Sequence, residues 1–305
     1  MTTVREWLLS SSLDSIDKSF ILEHVCGMNK AAQLIHGDRV LSSDEANKLN
    51  DIAKKRSEGV PLPYLLGTQE FFGRPFLVNP SVLIPRPDTE CLVEWLIEHL
   101  PKNGLVCDLG TGSGCIAATV ALERPDLTVW ASDLSGSALN VAKANCKALG
   151  AEVKLVQGPW LDPYPAELSF DAVISNPPYI EGDDKHLDAL RFEPRSALTD
   201  ESDGLIAYRS ILPQIKRKAP EVQVIAFEHG WNQGEAVRGI FEENGFKGAS
   251  TFRDYGNNPR FTELFYILLR ISDENRNLMA LTDLNFPVVK GFQKMYFKNV
   301  LSHVL

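Results

Sequence analysis

Residues 106–118 of this 305-residue chain read "VCDLGTGSGCIAA", in which three glycines follow a short apolar run. The pattern predicts a buried strand that ends near Asp108, then a tight turn, then a helix. Glycine suits such a turn because it reaches positive φ and lets a ligand approach the backbone. Dinucleotide-binding turns prefer the spacing G-x-G-x-x-G, whereas this turn has G-x-G-x-G after a carboxylate. A carboxylate repels phosphate, so we expect a ligand that carries a positive group there.

The segments on both sides of this turn continue an alternation of strands and helices. From Thr89 onward, apolar strand patterns alternate with amphipathic helix patterns and short connections. This order predicts an α/β fold with a mostly parallel sheet, helices on both faces and an antiparallel edge formed by the last two strands. The predicted strands span residues 104–110, 127–133, 152–158, 170–176, 222–230 and 260–271.

The part of the chain before this alternation has a different composition. Residues 1–66 lack strand patterns and predict a small all-helical domain that docks the substrate, with one helix over residues 43–59. Residues 67–87 are rich in proline, glycine and aromatic residues. They predict a hairpin or linker whose bend lies at Gly73 and Arg74.

The alternating domain spans residues 88–271 and is followed by a C-terminal extension, residues 272–305. The sequence "VVKGFQKMYFKNVLSHVL" at its end places apolar residues on one helical stripe and lysines on another. The extension is predicted to be helical and to pack on its own protein. The alternative is a helix that meets a partner or a membrane surface.

Charge and cysteine content limit the classes of function. The net charge is −9, and duplex DNA binding draws most of its non-specific affinity from Lys and Arg, so no stable nucleic-acid binding is expected. Five cysteines without a C-x-x-C pair argue against a disulfide framework and a zinc site. Neither a secretory signal nor a membrane-spanning apolar run is evident. We therefore expect a cytoplasmic protein with no metal and no membrane partner.

Two acidic residues close neighbouring predicted strands, where ligands of parallel sheets bind. Asp108 would attract an ammonium or sulfonium group, and Asp133 can accept hydrogen bonds from both hydroxyls of a ribose. S-adenosylmethionine, an adenosine with a cationic amino-acid end, fits this pair best. The alternative is a tight turn in which Asp133 is a helix cap.

Residues 172–181, "AVISNPPYIE", end another predicted strand with Asn176, Pro177, Pro178 and Tyr179. The Asn176 side-chain oxygen and the Pro177 carbonyl are two acceptors that can hold both hydrogens of a planar NH2 group. Tyr179 supplies a ring to stack on a flat π-system. The corner suits an exocyclic base amine or a carboxamide, and it requires no general base. The alternative is a strand-ending turn with a buried tyrosine.

Several motifs in order make the chain similar to the bacterial peptide chain release factor glutamine methyltransferases, the PrmC/HemK family. The resemblance runs from about residue 60 to about residue 268 and includes "PLPYLLGTQEFFG", "LIPRPDTECLVEW", "SNPPYI", "FEPRSAL" and "GWNQGEAVR". It implies a small N-terminal helical domain joined to a Rossmann-like class I methyltransferase fold. It also implies methyl transfer from S-adenosylmethionine to the glutamine side-chain nitrogen in the Gly-Gly-Gln loop of a release factor.

The resemblance also distributes roles among residues. Trp160 would pack by the adenine, and Arg86 and Glu90 would lie near the mouth of the pocket or, equally, form interdomain salt bridges. The residues expected to bind the cofactor are Asp108, Gly110, Thr111, Gly112, Ser113, Gly114, Asp133, Trp160 and Asn176. Those expected to hold the substrate are Asn176, Pro177, Pro178, Tyr179, Arg86 and Glu90, with catalysis by Asn176, Pro177 and Tyr179.

Two positions depart from the family pattern, and three other functions stay open. Pro159 stands where the family usually has Asp, which would weaken cofactor binding, and His229 is interpreted as a core histidine rather than a base. A ribosomal-protein glutamine is one alternative substrate. An exocyclic amine in nucleic acid, of the adenine-N6 type, is another, and a protein that binds S-adenosylmethionine without turnover is the non-enzymatic alternative.

Overall fold

A computed structural model of the protein describes residues 2–265, so the predicted extension, residues 272–305, lies outside the described residues. Its N-terminal part is helical, and side chains from several of the helices share a small apolar core around Trp7, Ile21 and Leu49. Thr3 and Ser42 begin two of the helices with reciprocal capping boxes. The helices are α1 Val4–Ser10, α2 Ser15–Cys26, α3 Lys30–Ile35, α4 Ser43–Ser57 and α5 Leu62–Leu66.

A two-stranded antiparallel hairpin follows the helices, formed by β1 Thr68–Phe71 and β2 Arg74–Leu77. Its turn is at Phe72 and Gly73, which both have positive φ, 52° and 71°. The predicted bend at Gly73 and Arg74 was therefore wrong by one residue. A two-residue hairpin turn with the twist of its strands needs positive φ at both central positions, and Arg74 already pairs with Phe71 in the ladder.

The second part of the chain alternates strands and helices around a seven-stranded sheet. Its order is β5-β4-β3-β6-β7-β9-β8; the first five strands are parallel and β9 is antiparallel to both neighbours. The strands are β3 Leu105–Leu109, β4 Thr128–Asp133, β5 Val153–Gln157, β6 Ala172–Ser175, β7 Val224–Glu228, β8 Ser250–Arg253 and β9 Pro259–Phe265. The helices are α6 Glu90–His99, α7 Cys115–Glu123, α8 Gly136–Leu149, α9 His186–Ala189, α10 Ile206–Lys218 and α11 Gly234–Glu243.

The mostly parallel sheet with an antiparallel edge confirms the predicted fold class. One strand, β8, was not predicted: it has four residues and no buried side chain, so it lacks the alternation that marks a half-buried strand.

Helices cover both faces of the sheet. Successive side chains of a strand point to opposite faces, so a single strand can contribute to two helix-covered cores. In β3, Val106 joins the core beneath α6 and α7, whereas Cys107 and Leu109 join the core beneath α10 and α11. Among residues 2–265, no helix has the length and apolarity that crossing a bilayer requires.

The order of the strands reverses at β3 and β6. The chain adds β4 and β5 on one side of β3, then returns to place β6 and β7 on the other side. Open α/β sheets bind ligands in the crevice outside the carboxyl ends of the strands at such a switch point. Asp108 and Asn176 lie at the ends of these two strands.

Candidate active site

The glycine turn after β3 has the backbone geometry that its sequence predicts. Gly110, Gly112 and Gly114 have φ values of 71°, 56° and 80°. The amides of Gly110 and Thr111 donate to the Ser132 carbonyl at 2.8 and 2.9 Å, which joins the turn to the end of β4. At Gly114 a Cβ would lie 3.1 Å from the Ala142 Cβ, so glycine lets α7 pack closely on α8.

A cavity of about 560 Å³ opens between this turn and the end of β6, a size typical of small-molecule sites. Among the predicted site residues, the cavity is lined by Arg86, Gly110, Thr111, Gly112, Ser113, Asp133, Trp160, Asn176 and Pro178. The other predicted residues, Asp108, Gly114, Glu90, Pro177 and Tyr179, are not among its lining residues. The structure thus brings most of the predicted cofactor residues together around one space.

Asp108 lies directly beneath the glycine turn and is 1% exposed. Its Oδ2 accepts from the Thr111 hydroxyl at 2.6 Å, and its Oδ1 has no hydrogen-bond partner within residues 2–265. Burial raises the pKa of Asp108 to about 7. A buried carboxylate oxygen without a partner is costly, and a ligand with an ammonium group would satisfy it. The residues here therefore fit a cationic nucleoside.

Asp133 ends β4 at the rim of the same cavity. Its Oδ2 accepts from the Gly112 amide at 2.9 Å and its Oδ1 from the Ser135 amide at 2.8 Å. Each carboxylate oxygen keeps a second lone pair that can accept a hydroxyl. The cap of α8 is the Ser135 side chain, which accepts from the Ala138 amide. Asp133 therefore remains available to a ligand.

Trp160 lies opposite the glycine turn. Its backbone has φ 48°, and its carbonyl accepts from the Ser132 hydroxyl at 3.0 Å. A Cβ placed on Gly110 would be 3.6 Å from the indole ring, so the ring faces the backbone of the turn. Pro159 also lines the cavity.

The Asn-Pro-Pro-Tyr corner is tied to three neighbouring elements. Ser175 begins it with a hydroxyl that donates to the Leu109 carbonyl at 2.7 Å, which joins the ends of β6 and β3. The Asn176 Nδ2 lies 3.4 Å from the Thr89 Oγ1. The Tyr179 hydroxyl donates to the Glu228 Oε1 at 3.3 Å, and the Tyr179 carbonyl accepts from the Gln233 side chain at 2.9 Å. Asn176 therefore faces the cavity, while the Tyr179 hydroxyl points to the end of β7.

Glu228 is a buried acid at the end of β7 that sequence reasoning missed. It is 1% exposed, and burial raises its pKa to about 7, while the Thr89 hydroxyl and the Arg260 charge lower it. Its backbone carbonyl accepts from the Tyr208 hydroxyl at 2.7 Å. The available signal was an acid that closes the otherwise apolar strand "VIAFE".

The segment 84–90 borders the cavity and is held from two sides. Glu193, which is 6% exposed, accepts from the Ile84 amide at 3.0 Å and pairs with the Arg86 guanidinium. On the other side, Arg260 pairs with Asp88 at 3.0 Å. Glu193 was also missed by sequence reasoning, although it belongs to the "FEPRSAL" motif.

Arg86 and Glu90 differ in their placement. Arg86 lines the cavity, and its ion pair is with Glu193 rather than with the helical domain. Glu90 accepts from the Phe72 amide at 3.0 Å and so anchors the hairpin turn. The helical domain contacts the rest of the chain at other residues. The Arg191 guanidinium donates to the Glu58 carbonyl at 2.9 Å, and the Tyr64 hydroxyl donates to the Val82 carbonyl at 2.6 Å.

His229 is buried beside β9. Its Nδ1 lies 2.8 Å from the Gly230 carbonyl and must donate, so its Nε2 accepts from the Thr262 hydroxyl at 3.0 Å. Burial lowers the pKa of His229 to about 4. It is therefore a neutral core histidine at pH 7, as the sequence interpretation has it.

Known proteins share both parts of this architecture. The methyltransferase small domain family matches residues 88–197, and the PrmC N-terminal domain family matches residues 9–67. Among solved structures, the human Mettl16 catalytic domain in complex with the MAT2A 3'UTR hairpin 1 superposes with a TM-score of 0.53 at 17% identity, over 73% of this chain and 81% of that one. A methyltransferase from Pyrococcus furiosus superposes with a TM-score of 0.50 at 17% identity, over 70% of this chain and 98% of that one. The fold is that of a class I methyltransferase.

The relatives found by sequence similarity identify a more specific family. The chain is 46% identical to the release factor glutamine methyltransferase of Neisseria gonorrhoeae, over 85% of this chain and 96% of that protein. It is 40% identical to the Salmonella typhimurium protein of the same name and 38% identical to the one from Escherichia coli. Each of these two matches covers 81% of this chain and 90% of the relative. The chain belongs to the release factor glutamine methyltransferase family.

Proposed function

We propose that this protein transfers a methyl group from S-adenosylmethionine to the side-chain nitrogen of the glutamine in the Gly-Gly-Gln loop of peptide chain release factors. The observation that carries the proposal is the position of Asn176. It lines the same cavity as the glycine turn, beneath which lies the Asp108 carboxylate oxygen that has no partner within residues 2–265. Family membership directs the proposal to release factors.

Residues in and beneath the cavity wall would each bind one part of the cofactor. Asp133 would accept from the ribose hydroxyls and Trp160 would pack on the adenine, both from the cavity lining. Asp108, buried beneath the glycine turn, would accept from the ammonium group. When bound, S-adenosylmethionine supplies an electrophilic methyl group on a sulfonium sulfur. Pro80, Val82 and Ile116 add apolar surface to the cavity wall, and an apolar environment favours a reaction that disperses charge.

The Asn-Pro-Pro-Tyr corner would hold the substrate amide. Asn176 Oδ1 and the Pro177 carbonyl each accept one N–H, so the nitrogen lone pair turns toward the methyl carbon. Amide resonance, gauged by a rotation barrier of ~18–20 kcal/mol, makes a free carboxamide a poor nucleophile. Holding both hydrogens out of plane removes part of that resonance, and near-attack alignment contributes about 7–11 kcal/mol.

The reaction needs no side chain as a base. An N–C bond forms as the C–S bond breaks, and the nitrogen then carries one surplus proton. An N-alkylated amide cation is strongly acidic, so this proton passes to water after the transfer. His229 cannot serve as the base because both of its nitrogens are occupied within the core.

The substrate and setting follow from the same proposal. Release factors are the protein partner, residues 1–66 dock them, and residues 88–271 carry the chemistry in the cytoplasm, where translation takes place. No stable complex with nucleic acid or membrane is part of the proposal.

The test is methyl transfer from labelled S-adenosylmethionine to a release factor and, in parallel, to DNA and ribosomal proteins. We expect label on the release factor, and peptide mass spectrometry should place it on the glutamine of the Gly-Gly-Gln loop. A release factor whose glutamine is replaced by asparagine is the matched control and should stay unlabelled. Label only on DNA or ribosomal protein, or binding of the cofactor without transfer, would overturn the proposal.

A further inference from the structure

The orientation of the Asn176 side chain decides whether it can hold the substrate amide. Its side-chain amide can flip, a rotation that exchanges the positions of the oxygen and the nitrogen. Only one orientation presents the Oδ1 acceptor to a substrate N–H; the other presents a donor, which the substrate NH2 cannot use. In the structure the Nδ2 points to the Thr89 Oγ1, 3.4 Å away, which leaves Oδ1 as the free end.

The Thr89 hydroxyl has the chemistry to enforce this orientation. Thr89 is 2% exposed and lines the cavity. Because an NH2 group only donates, the hydroxyl oxygen must accept from Asn176, and the hydroxyl hydrogen is left to donate elsewhere. The Thr89 hydroxyl lowers the pKa of Glu228, whose Oε2 has no hydrogen-bond partner within residues 2–265.

Glu228 supports the other end of the corner. Its Oε1 takes the Tyr179 hydroxyl at 3.3 Å. In its ionised form the carboxylate can only accept, so Tyr179 is the donor in this bond.

Thr89 is itself fixed in place by the turn that contains it. Its amide donates to the Arg86 carbonyl at 3.1 Å, and the preceding Asp88 pairs with Arg260 at 3.0 Å. Arg260 also pairs with the buried Asp254 at 2.8 Å. The backbone at Thr89 is therefore held by contacts on both sides of the residue.

We propose that Thr89 is a positioning residue, whose hydroxyl oxygen accepts from the Asn176 Nδ2 and so holds the Asn176 oxygen toward the substrate nitrogen. This inference rests on the proposed methyl transfer. Thr89 does not donate to the reacting atoms; it determines which end of the Asn176 amide meets them. Losing the Thr89 hydroxyl should lower kcat and leave cofactor binding nearly unchanged.

The experiment compares Thr89→Val, which removes the hydroxyl and keeps the shape, with Thr89→Ser, which keeps the hydroxyl. Thr119→Val is the matched control, because Thr119 is also fully buried and its hydroxyl has no partner within the described residues. We expect Thr89→Val to reduce kcat about 5-fold to 100-fold, the range of one buried hydrogen bond. Thr89→Ser should recover most of the loss, with KM for the release factor and Kd for the cofactor within about twofold of the parent.

Three outcomes would overturn the inference. One is a kcat within about twofold of the parent for Thr89→Val. The second is an equal loss in Thr89→Ser, which would assign the effect to packing of the methyl group. The third is an equal loss in Thr119→Val.

A readout without turnover separates this inference from the proposed function. The side-chain NH2 signal of Asn176 in a ¹H–¹⁵N spectrum can be assigned by its absence in Asn176→Ala. We expect it to shift in Thr89→Val and to return in Thr89→Ser. An unchanged signal in Thr89→Val would refute the positioning role even if transfer to release factors is observed. A shifted signal in an enzyme inactive on release factors would support it and refute the proposed substrate.

Discussion

The two halves of the cavity are built in different ways. On the cofactor side, Asp108, the glycine turn and Asp133 come from one strand–turn–helix–strand unit, and their side-chain hydrogen bonds join residues 3 and 21 positions apart. On the substrate side, Asn176 meets Thr89 across 87 residues and Tyr179 meets Glu228 across 49. Short-range sequence signals therefore describe the first half, and only tertiary contacts describe the second.

Each half contains one buried acid. Asp108 accepts from the Thr111 hydroxyl three residues away, and Glu228 accepts from the Tyr179 hydroxyl 49 residues away. Each acid keeps its other oxygen without a hydrogen-bond partner within residues 2–265, and burial raises the pKa of both to about 7. A raised pKa alone therefore does not distinguish an acid that would meet a ligand from one that supports the Asn-Pro-Pro-Tyr corner.

The largest expected effect lies on the substrate side. Asn176→Ala removes the side-chain acceptor and should lower kcat about 10²–10³-fold, the cost of deleting one preorganised hydrogen-bonding group at a reacting centre. Single-turnover transfer measures the loss, and calorimetry should give a cofactor Kd within a few-fold of the parent. An unchanged kcat would remove Asn176 from the mechanism and break the division between the halves.

A buried acid outside both halves tests whether burial alone explains these pKa values. Glu263 on β9 is 8% exposed, Oε2 has no partner within residues 2–265, and burial raises its pKa from 4.5 to about 7. Between these pH values the folded state holds more protons than the unfolded state, so stability falls as pH rises. Glu263→Gln removes this loss of stability. The free energy of unfolding of the variant should equal that of the parent near pH 4 and exceed it by about 3 kcal/mol above pH 7.5.

Urea unfolding from pH 4 to pH 8.5 measures that difference, since other titrating groups are common to both proteins. A difference that does not grow with pH would show that the Glu263 carboxylate finds a partner, and a lower kcat in Glu263→Gln would give it a part in the site.

On the cofactor side, Asp108→Asn should weaken S-adenosylmethionine binding about 10-fold to 100-fold, because it replaces a charge-assisted hydrogen bond with a neutral one. The side-chain oxygen of the introduced amide can still accept from the Thr111 hydroxyl, so the turn is retained. Isothermal titration measures Kd, and kcat at saturating cofactor should stay within a few-fold. A large loss of kcat with unchanged Kd would mean that Asp108 acts on the chemistry instead.

The smallest effect concerns Pro159, which lines the cavity next to Trp160. Pro159→Asp restores a backbone donor and adds a carboxylate. It should tighten cofactor binding about 3-fold to 10-fold, in line with one hydrogen bond. Pro159→Ala, which restores the donor alone, is the control. Equal affinity in all three proteins would show that Pro159 does not weaken the adenine side.

The fold was largely predictable from local patterns. The elements β3 to β7 and α6 to α11, except the short α9, lie where the alternation of apolar residues places them. The two features that the sequence patterns did not predict correctly are a short strand and a turn set by backbone geometry. Strand β8 has four residues and no buried one, and the hairpin bend is set by positive φ at Phe72, a position that no side-chain pattern marks.

Local sequence patterns were enough to predict the strand–turn–helix around Gly110–Gly114, the end of the strand before Pro177 and Pro178, and several residues that line the cavity. Glycine φ values, missing proline donors and strand periodicity act over a few residues. Tertiary contacts, by contrast, bring Glu193 to Ile84 across 109 residues and Tyr179 to Glu228 across 49 residues. These contacts form between segments that are brought together when the sheet closes, and no local pattern records which segments will meet.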